Sequence, residues 1–309
     1  MPASPDDRRI LAVVVTFNRL ELLRPLVAAL RSTPRLAGVV VVDNASTDGT
    51  GAWLAAEAAR TDAVPVQVVA LDDNLGGAGG FHVGLERAVA DGADLVWLMD
   101  DDGLPGDDCL ERLLAHHDLD FWGPLVVDNA DTGRLVFPIR LPGGTTVVHR
   151  LDDVRRAAVD GRIADIVIPF NGVLVTRELV ERIGLPRSEF FIWGDDHEYR
   201  LRAEQAGARI ATVVDACVLH PSVGDLGSPM LGGRTTYNHS PSELKHYCMS
   251  RNNVVNLRTY RGWPFVLAFV LKTLWFYGVT KPSWRRLRLS ASGITAGLRN
   301  DFTGHRRFL

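Results

Sequence analysis

The first hundred residues alternate between short apolar runs and longer segments with helical spacing. The apolar runs are rich in Val and Leu without strict alternation, which is typical of parallel strands buried on both faces. They cover residues 10–16, 39–43, 66–71 and 94–99. Helices are predicted between them, over residues 19–31, 50–60 and 77–90. This repeat predicts an α/β protein with a Rossmann-like, doubly wound, mostly parallel sheet that binds ligands at the carboxyl ends of its strands.

The middle of the chain has a mixed α/β pattern. Helices are predicted over residues 109–116 and 195–206, and the second ends at Gly207, a usual C-terminal stop. Strands are predicted over residues 121–127, 135–139 and 166–170.

The last 66 residues are basic and aromatic. Residues 244–309 contain twelve Lys and Arg residues against one acid, Asp301. Within them, residues 263–280 are apolar except for Lys272, and a Trp-Arg-Arg-Leu-Arg cluster follows. A central lysine and a length near the spanning minimum favour a segment that lies at a membrane surface. A core helix, or one that pairs two copies into a homo-oligomer, is the alternative.

These patterns predict two regions, a catalytic domain over residues 1–240 and a helical, membrane-surface region over residues 241–309. The composition of the 309 residues, 46% hydrophobic and 23% charged, is that of a globular protein. A net charge of −3 gives no reason to expect a nucleic-acid partner. Three cysteines without a CxxC pair, and an N-terminus without signal-peptide character, favour a reducing, cytoplasmic location.

An acidic triplet, Asp100-Asp101-Asp102, directly follows the fourth predicted strand. Carboxylates crowded at the end of a buried strand need a compensating charge, and Mg²⁺ or Mn²⁺ with oxygen ligands would supply it. Such an ion is usually shared with substrate phosphates. His220, at the end of a later apolar run, is a candidate further ligand. The alternative is an acidic loop that caps the next helix.

A second acidic pair, Asp195-Asp196, follows the aromatic segment Phe-Phe-Ile-Trp-Gly at a predicted helix start. Aromatic surroundings can hold the pKa of a carboxyl group nearer neutrality, as a general base requires. Helix capping is the alternative role.

Glycines follow the third strand, in the segment 74–81 that begins Asn-Leu-Gly-Gly. They allow a ligand to approach the backbone at a helix N-terminus that favours anions. The first strand runs into Thr16-Phe17-Asn18-Arg19 rather than GxGxxG, which argues against a nicotinamide dehydrogenase and a nucleotidyltransferase.

The ordered motifs resemble those of the inverting family 2 glycosyltransferases of the GT-A fold. The motifs are VVVTFNR, VVDNAS, NLGGAGGF, WLMDDDG, FNGVLV, FFIWGDDHEYRLR and LHP. Together with a later Tyr-x-x-x-Arg-Asn, they look most like the bacterial galactofuranosyltransferases that start cell-wall galactan. Those enzymes use UDP-galactofuranose and an acceptor glycan linked to a polyprenyl diphosphate. Rhamnosyltransferases that use dTDP-rhamnose share most of these motifs.

The resemblance implies a role for each matching residue. Asp196 aligns with the catalytic base, with Asp195 as the alternative, while Asp100 and Asp102 match the metal-binding DxD motif and His220 matches the family's metal histidine. The matches expected to lie against the nucleotide sugar, which include Asp100 a second time, are Thr16, Asn18, Arg19, Asp43, Asn74, Gly76, Gly77, Asp100 and Asp101. A non-catalytic module that binds a nucleotide sugar is the alternative from another functional class.

Overall fold

The structure is a computed structural model that describes residues 7–144, 146–168, 170–223 and 227–309. It divides into two compact units. The first contains the described residues up to Pro186 together with Tyr199–Ser222, and the second contains Arg187–Glu198 and the described residues of Val223–Leu309. The functional division expected between residues 240 and 241 remains a prediction.

The first unit is built on a large mixed sheet with helices on both faces. Its strands are β1 (Ile10–Thr16), β2 (Leu36–Asp43), β3 (Val66–Ala70), β4 (Leu95–Asp100), β5 (Leu104–Pro105), β6 (Phe121–Asp128), β7 (Arg134–Arg140), β8 (Val147–Arg150), β9 (Arg162–Ala164), β10 (Asn171–Thr176) and β11 (Ile210–His220). Its helices are α1 (Leu20–Arg31), α2 (Thr50–Ala58), α3 (Gly76–Ala90), α4 (Cys109–Leu114), α5 (Leu151–Ala157) and α6 (Arg177–Ile183). Helix α7 (Asp195–Gln205) contributes residues to both units.

The strand order along the main path is β3-β2-β1-β4-β10-β6-β11-β5. Strands β1 to β4 pair in parallel, and β10 is antiparallel to both β4 and β6. Strand β11 is again parallel to β6. The predicted α/β sheet is therefore confirmed, with β10 inserted antiparallel between β4 and β6 and with further antiparallel pairings of β5, β7, β8 and β9 around β6 and β11.

The first strand shows why its apolar run does not alternate. Ile10, Ala12 and Val14 pack into the core on one face of the sheet, whereas Leu11 and Val13 pack into the core on the other. Both faces are covered by helices, so every position is selected for hydrophobicity.

The strand predicted over residues 166–170 is wrong in the described part of that stretch, and Pro169 lies outside the described residues. The strand begins instead at Asn171. Val167 and Phe170 are nevertheless buried, and Phe170 has a left-handed φ of 60°. The apolar residues at these positions are buried in a turn that precedes the strand and are not part of a strand.

The second unit is mostly helical. Its elements are β12 (Ser228–Met230), β13 (Thr235–Tyr237), α8 (Glu243–Tyr260), α9 (Trp263–Trp275) and α10 (Trp284–Arg299). The predicted helix over residues 263–280 is α-helical to Trp275 and continues as a π-helical turn, Phe276–Thr280. Helices α8 and α10 approach closely because Gly293 and Gly297 have no side chain. A Cβ at either position would collide with the α8 backbone.

Candidate functional site

Polar side chains of the first unit meet where three parallel strands end. The register pairs Thr16 with Asp43 across β1 and β2, and Val15 with Asp100 across β1 and β4. The sequence positions that end these strands are therefore neighbours at one edge of the sheet, as the parallel topology requires.

Asp101 is held by the end of β1. The Thr16 hydroxyl donates a 2.8 Å hydrogen bond to its carboxylate, and Arg19 Nη1 donates another of 3.1 Å. Burial raises the pKa of Asp101, and the charge of Arg19 and the hydrogen bond from Thr16 offset only part of that rise. These contacts bring together three residues that the sequence assigned to the nucleotide site.

Asp102 joins Arg19 to His220. Arg19 Nη1 lies 2.7 Å from Asp102 Oδ2, and His220 Nε2 lies 3.1 Å from Asp102 Oδ1. Burial alone would raise the pKa of Asp102, but the hydrogen bond and charge of His220, followed by the charge of Arg19, lower it. Burial lowers the pKa of His220, and the hydrogen bond and charge of Asp102 outweigh this effect and raise it.

The donor set at this pair fits a divalent cation. The His220 Nδ1 donates a 2.7 Å hydrogen bond to the Pro221 carbonyl, so loss of the second ring proton would leave a lone pair on Nε2, the atom that faces Asp102. A lone pair and a carboxylate oxygen that face each other need a proton or a cation between them. Among the described residues, no group of three or more His, Cys, Asp or Glu side chains is placed to hold a metal ion by itself. A site of few protein ligands is typical of ions that share a substrate diphosphate.

The loops after β1 and β2 are bonded to each other. Asn18, with a left-handed φ of 52°, donates its backbone N–H to Ser46 Oγ and accepts a 2.7 Å hydrogen bond from the Thr47 N–H. Asp43 is buried and accepts a 3.0 Å hydrogen bond from the Ser46 N–H. Contact of Asn18 and Asp43 with a nucleotide remains a prediction.

The glycine run begins α3 and has two roles. Asn44 bonds to the backbone of Leu75 and Gly76, and the Gly76 N–H donates to the Asn74 side chain at 2.8 Å. A Cβ at Gly80 would collide with Val15, so that glycine lets α3 pack on β1, whereas a Cβ at Gly77 would meet open space. The predicted ligand approach is therefore sterically open at Gly77.

The second acidic pair begins α7 in the second unit, after a strained loop. Phe191, Trp193 and Gly194 have left-handed φ values of 64°, 67° and 86°. Left-handed conformations in bulky residues cost of the order of 1–3 kcal/mol each and persist only where the surroundings enforce them.

Side chains of α8 enforce this loop conformation. The fully buried Arg251 donates a 2.7 Å hydrogen bond to the Phe190 carbonyl. The Asn252 amide lies 3.0 Å from the same carbonyl and 2.6 Å from that of Trp193, and the Asn256 amide donates a 2.8 Å hydrogen bond to Gly194. The motif containing Arg251 and Asn252 was visible in the sequence, whereas Asn256, one helical turn later, was missed.

Asp195 and Asp196 differ in environment. Asp195 is buried, while Asp196 is partly exposed and its Oδ1 accepts a 2.7 Å hydrogen bond from the His197 N–H. Burial, followed by the charges of Asp196 and Glu198, raises the pKa of Asp195 to about 8. At neutral pH the proton of the pair therefore resides on Asp195.

The structure thus distributes most of the predicted residues over four groups. Thr16, Arg19, Asp101, Asp102 and His220 form one connected network. Asn18 and Asp43 share Ser46, and Asn74 bonds to Gly76. Asp195 and Asp196 belong to the second unit.

Comparisons of sequence identify the family to which the chain is similar. Residues 11–170 match the family model described as glycosyl transferase family 2. The chain is 36% identical over 252 residues to galactofuranosyltransferase GlfT1 of Mycolicibacterium smegmatis, covering 79% of this chain and 81% of that protein. It is 33% identical over 293 residues to galactofuranosyltransferase GlfT1 of Mycobacterium tuberculosis, covering 92% of this chain and 95% of that protein.

A comparison of structures gives the same fold. The crystal structure of GalNAc-T7 with UDP, GalNAc and Mn²⁺ superposes with a TM-score of 0.62 at 14% identity, covering 97% of this chain and 58% of that one. This likeness confirms the predicted GT-A type of α/β fold.

Proposed function

The chain belongs to glycosyltransferase family 2, and we propose that it is an inverting galactofuranosyltransferase that requires a divalent metal. The proposed donor is UDP-galactofuranose, and the proposed acceptor is a glycan carried on a polyprenyl diphosphate during cell-wall polysaccharide synthesis. The network of Arg19, Asp102 and His220 at the carboxyl edge of the sheet is the observation that supports this most directly. The names of the two relatives support the donor sugar.

The proposed nucleotide contacts lie along the ends of β1, β2 and β4 and at the start of α3. Asp102 and His220 would hold Mg²⁺ or Mn²⁺, whose positive charge would stabilise the charge that develops on the departing UDP. A direct contact of Asp100 with the ion stays a prediction, since the described part of the chain groups no third such side chain with this pair. Thr16 and Arg19 fix the carboxylates of Asp101 and Asp102 before substrate arrives. Preorganisation of this kind reduces the cost of assembling a charged site.

Asp196 is the proposed general base. It removes the proton of an acceptor hydroxyl while that oxygen attacks the anomeric carbon on the face opposite the nucleotide. The bond from the anomeric carbon to the UDP oxygen breaks, UDP leaves with that bonding pair, and the configuration inverts. The proton on Asp195 keeps the buried member of the pair neutral, which leaves the partly exposed Asp196 as the proposed acceptor of the proton.

A thermal-shift titration tests the donor. With Mn²⁺ present, UDP at about 100 times its dissociation constant is expected to stabilise the protein by roughly 2.7 kcal/mol. The same titration with dTDP and with NAD, each with and without Mn²⁺, is the control. A preference for dTDP would instead indicate rhamnosyl transfer, and a response to none of the nucleotides would contradict the proposed site.

A membrane surface is the proposed location of the enzyme, on the cytoplasmic face. In the described residues, one helical stretch, Trp263–Thr280, is long and apolar enough to cross a bilayer, and 22% of it is buried. Trp263, Leu267 and Leu271 are each more than half exposed and recur every four residues, which aligns them along α9. Arg285 and Arg288 follow at the start of α10. An apolar stripe next to a basic segment is the chemistry of an anionic lipid surface.

Flotation with liposomes tests this location. The double variant Leu267→Asn/Leu271→Asn is expected to bind vesicles containing 30% phosphatidylglycerol about 30-fold more weakly, because two exposed apolar side chains no longer insert. Val159→Asn, which changes an apolar residue that is 71% exposed in the first unit, is the matched control. Equal binding by all three proteins would exclude α9 as the contact.

A further inference from the structure

A cavity of about 460 Å³ lies within the second unit. It is bordered by His239 before α8, by Phe276 and Tyr277 in the π-helical turn, and by Lys281 and Arg286 around the start of α10. None of these residues belongs to the proposed nucleotide or metal site.

The described lining of the cavity carries positive charge and no carboxylate. Lys281 Nζ donates a 2.7 Å hydrogen bond to Ser228 Oγ, a neutral partner. Arg286 donates to the carbonyls of Ser240 and Pro241, which are also neutral. Burial, followed by the charges of Lys281 and Arg286, lowers the pKa of His239. Because neutral acceptors satisfy hydrogen bonds without cancelling charge, the cavity keeps a positive potential.

The start of α10 adds to this potential. Ser283 lines the cavity and caps the sixteen-residue helix by accepting a hydrogen bond from the Arg286 N–H. The positive end of the helix dipole therefore lies at the same wall as the two cationic side chains.

The wall of the cavity formed by the π-helical turn is apolar rather than cationic. Phe276 and Tyr277 form an aromatic wall, and the neighbouring Trp275 and Val279 are 47% and 59% exposed. A cationic pocket that borders exposed apolar surface matches a ligand whose phosphate groups are attached to a hydrocarbon chain.

We propose that this cavity binds the phosphate groups of a prenyl diphosphate, with Lys281 and Arg286 as the principal contacts. Its assignment to the lipid carrier of the acceptor rests on the function proposed above. Lys281 and Arg286 would fix the diphosphate, and the exposed residues of the π-helical turn would contact the first isoprene units. These residues would select the acceptor carrier rather than take part in the transfer itself.

Calorimetric titration of the full chain in EDTA tests the site without relying on transfer activity. The probes are farnesyl diphosphate, inorganic diphosphate and farnesol. Farnesyl diphosphate is expected to bind, and Lys281→Gln and Arg286→Gln are each expected to weaken it about tenfold by removing a charge-assisted contact. Arg299→Gln, on the same helix but outside the cavity lining, is the matched control and is expected to bind as the unmodified chain does.

The other outcomes separate the sources of the phosphate. Equal affinity for inorganic diphosphate would retain the anion site but overturn its assignment to a lipid. Equal affinity for farnesol, or an unchanged affinity in Lys281→Gln, would overturn the site altogether. Because Arg286 also bonds to two carbonyls, Lys281→Gln decides the result if Arg286→Gln melts at a lower temperature. Transfer activity is measured separately, so failure of the proposed reaction leaves this result interpretable.

Discussion

Asp196→Asn is expected to lower the transfer rate by about 10²- to 10⁴-fold, the usual contribution of a general base. Asn has the same size and keeps an oxygen that can accept the hydrogen bond from the His197 N–H. The helix start should therefore be preserved while the proton acceptor is lost. Release of UDP from UDP-galactofuranose, followed at saturating donor and acceptor, measures the loss, and calorimetry with UDP shows whether nucleotide binding is retained.

Asp195→Asn is the control that distinguishes the two members of the pair. Since the pKa of Asp195 is raised to about 8, this residue is protonated at pH 7, and an amide imitates that form. Transfer by Asp195→Asn is expected to stay within about tenfold of the unmodified enzyme. A transfer rate that rises with pH up to about 8, together with an inactive Asp195→Asn, would move the base assignment to Asp195.

Asp195→Asn is also expected to change how the free energy of unfolding depends on pH. The unfolded chain releases the Asp195 proton near pH 4, whereas the folded chain keeps it until about pH 8. The free energy of unfolding therefore falls as pH rises through this interval, because the folded state binds the extra proton. Asp195→Asn is expected to remove this fall, so that the variant is more stable than the unmodified chain at pH 8 and equally stable at pH 4, as chemical denaturation at the two pH values would measure.

The fold could be predicted from the sequence because each buried strand is marked by an apolar run of neighbouring residues. Residues 10–16 were placed within their observed bounds, since a strand covered on both faces must be continuously apolar. The strand placed at residues 166–170 failed for the same reason: Val167 and Phe170 are buried in a core, and hydrophobicity does not distinguish a buried turn from a strand.

The candidate site was predictable where strand ends supply it. Asp102 follows β4 and His220 ends β11, and a shared sheet edge brings these distant positions within 3.1 Å. The role of Arg19 was less visible, because the side chain was expected at the nucleotide and is found bonded to two carboxylates. Pairing of a flexible arginine depends on side-chain geometry that spacing along a chain does not specify.

The contacts that hold the loop before Asp195 and Asp196 were the feature least predictable from the sequence. Arg251 lies 61 positions from Phe190, and a buried arginine that bonds to carbonyls has no periodic signature in the sequence. Two of the three residues with positive φ before Asp195 are bulky. A bulky residue gives no sequence signal for a left-handed conformation, whereas a glycine does.

Asp102→Asn is expected to weaken Mn²⁺-dependent binding of UDP by about 100-fold or more, while binding of UDP without metal changes little. An amide has no negative charge, so it loses most of its attraction for a divalent cation. It still offers an oxygen to Arg19, which should limit any change in the local structure. Calorimetric titration of UDP with Mn²⁺ and with EDTA measures the difference, and His220→Gln is expected to show the same pattern.

Asp120→Asn is the matched control for Asp102→Asn. Asp120 is also bonded to an arginine, Arg209, but lies before the amino end of β6 rather than at the carboxyl edge. If both variants lost metal-dependent binding equally, general destabilisation would explain the result and Asp102 would not be a ligand. If Asp102→Asn kept full metal dependence, the cation would have to be held elsewhere, because the buried pair with His220 would then be only a proton-linked contact within the sheet edge.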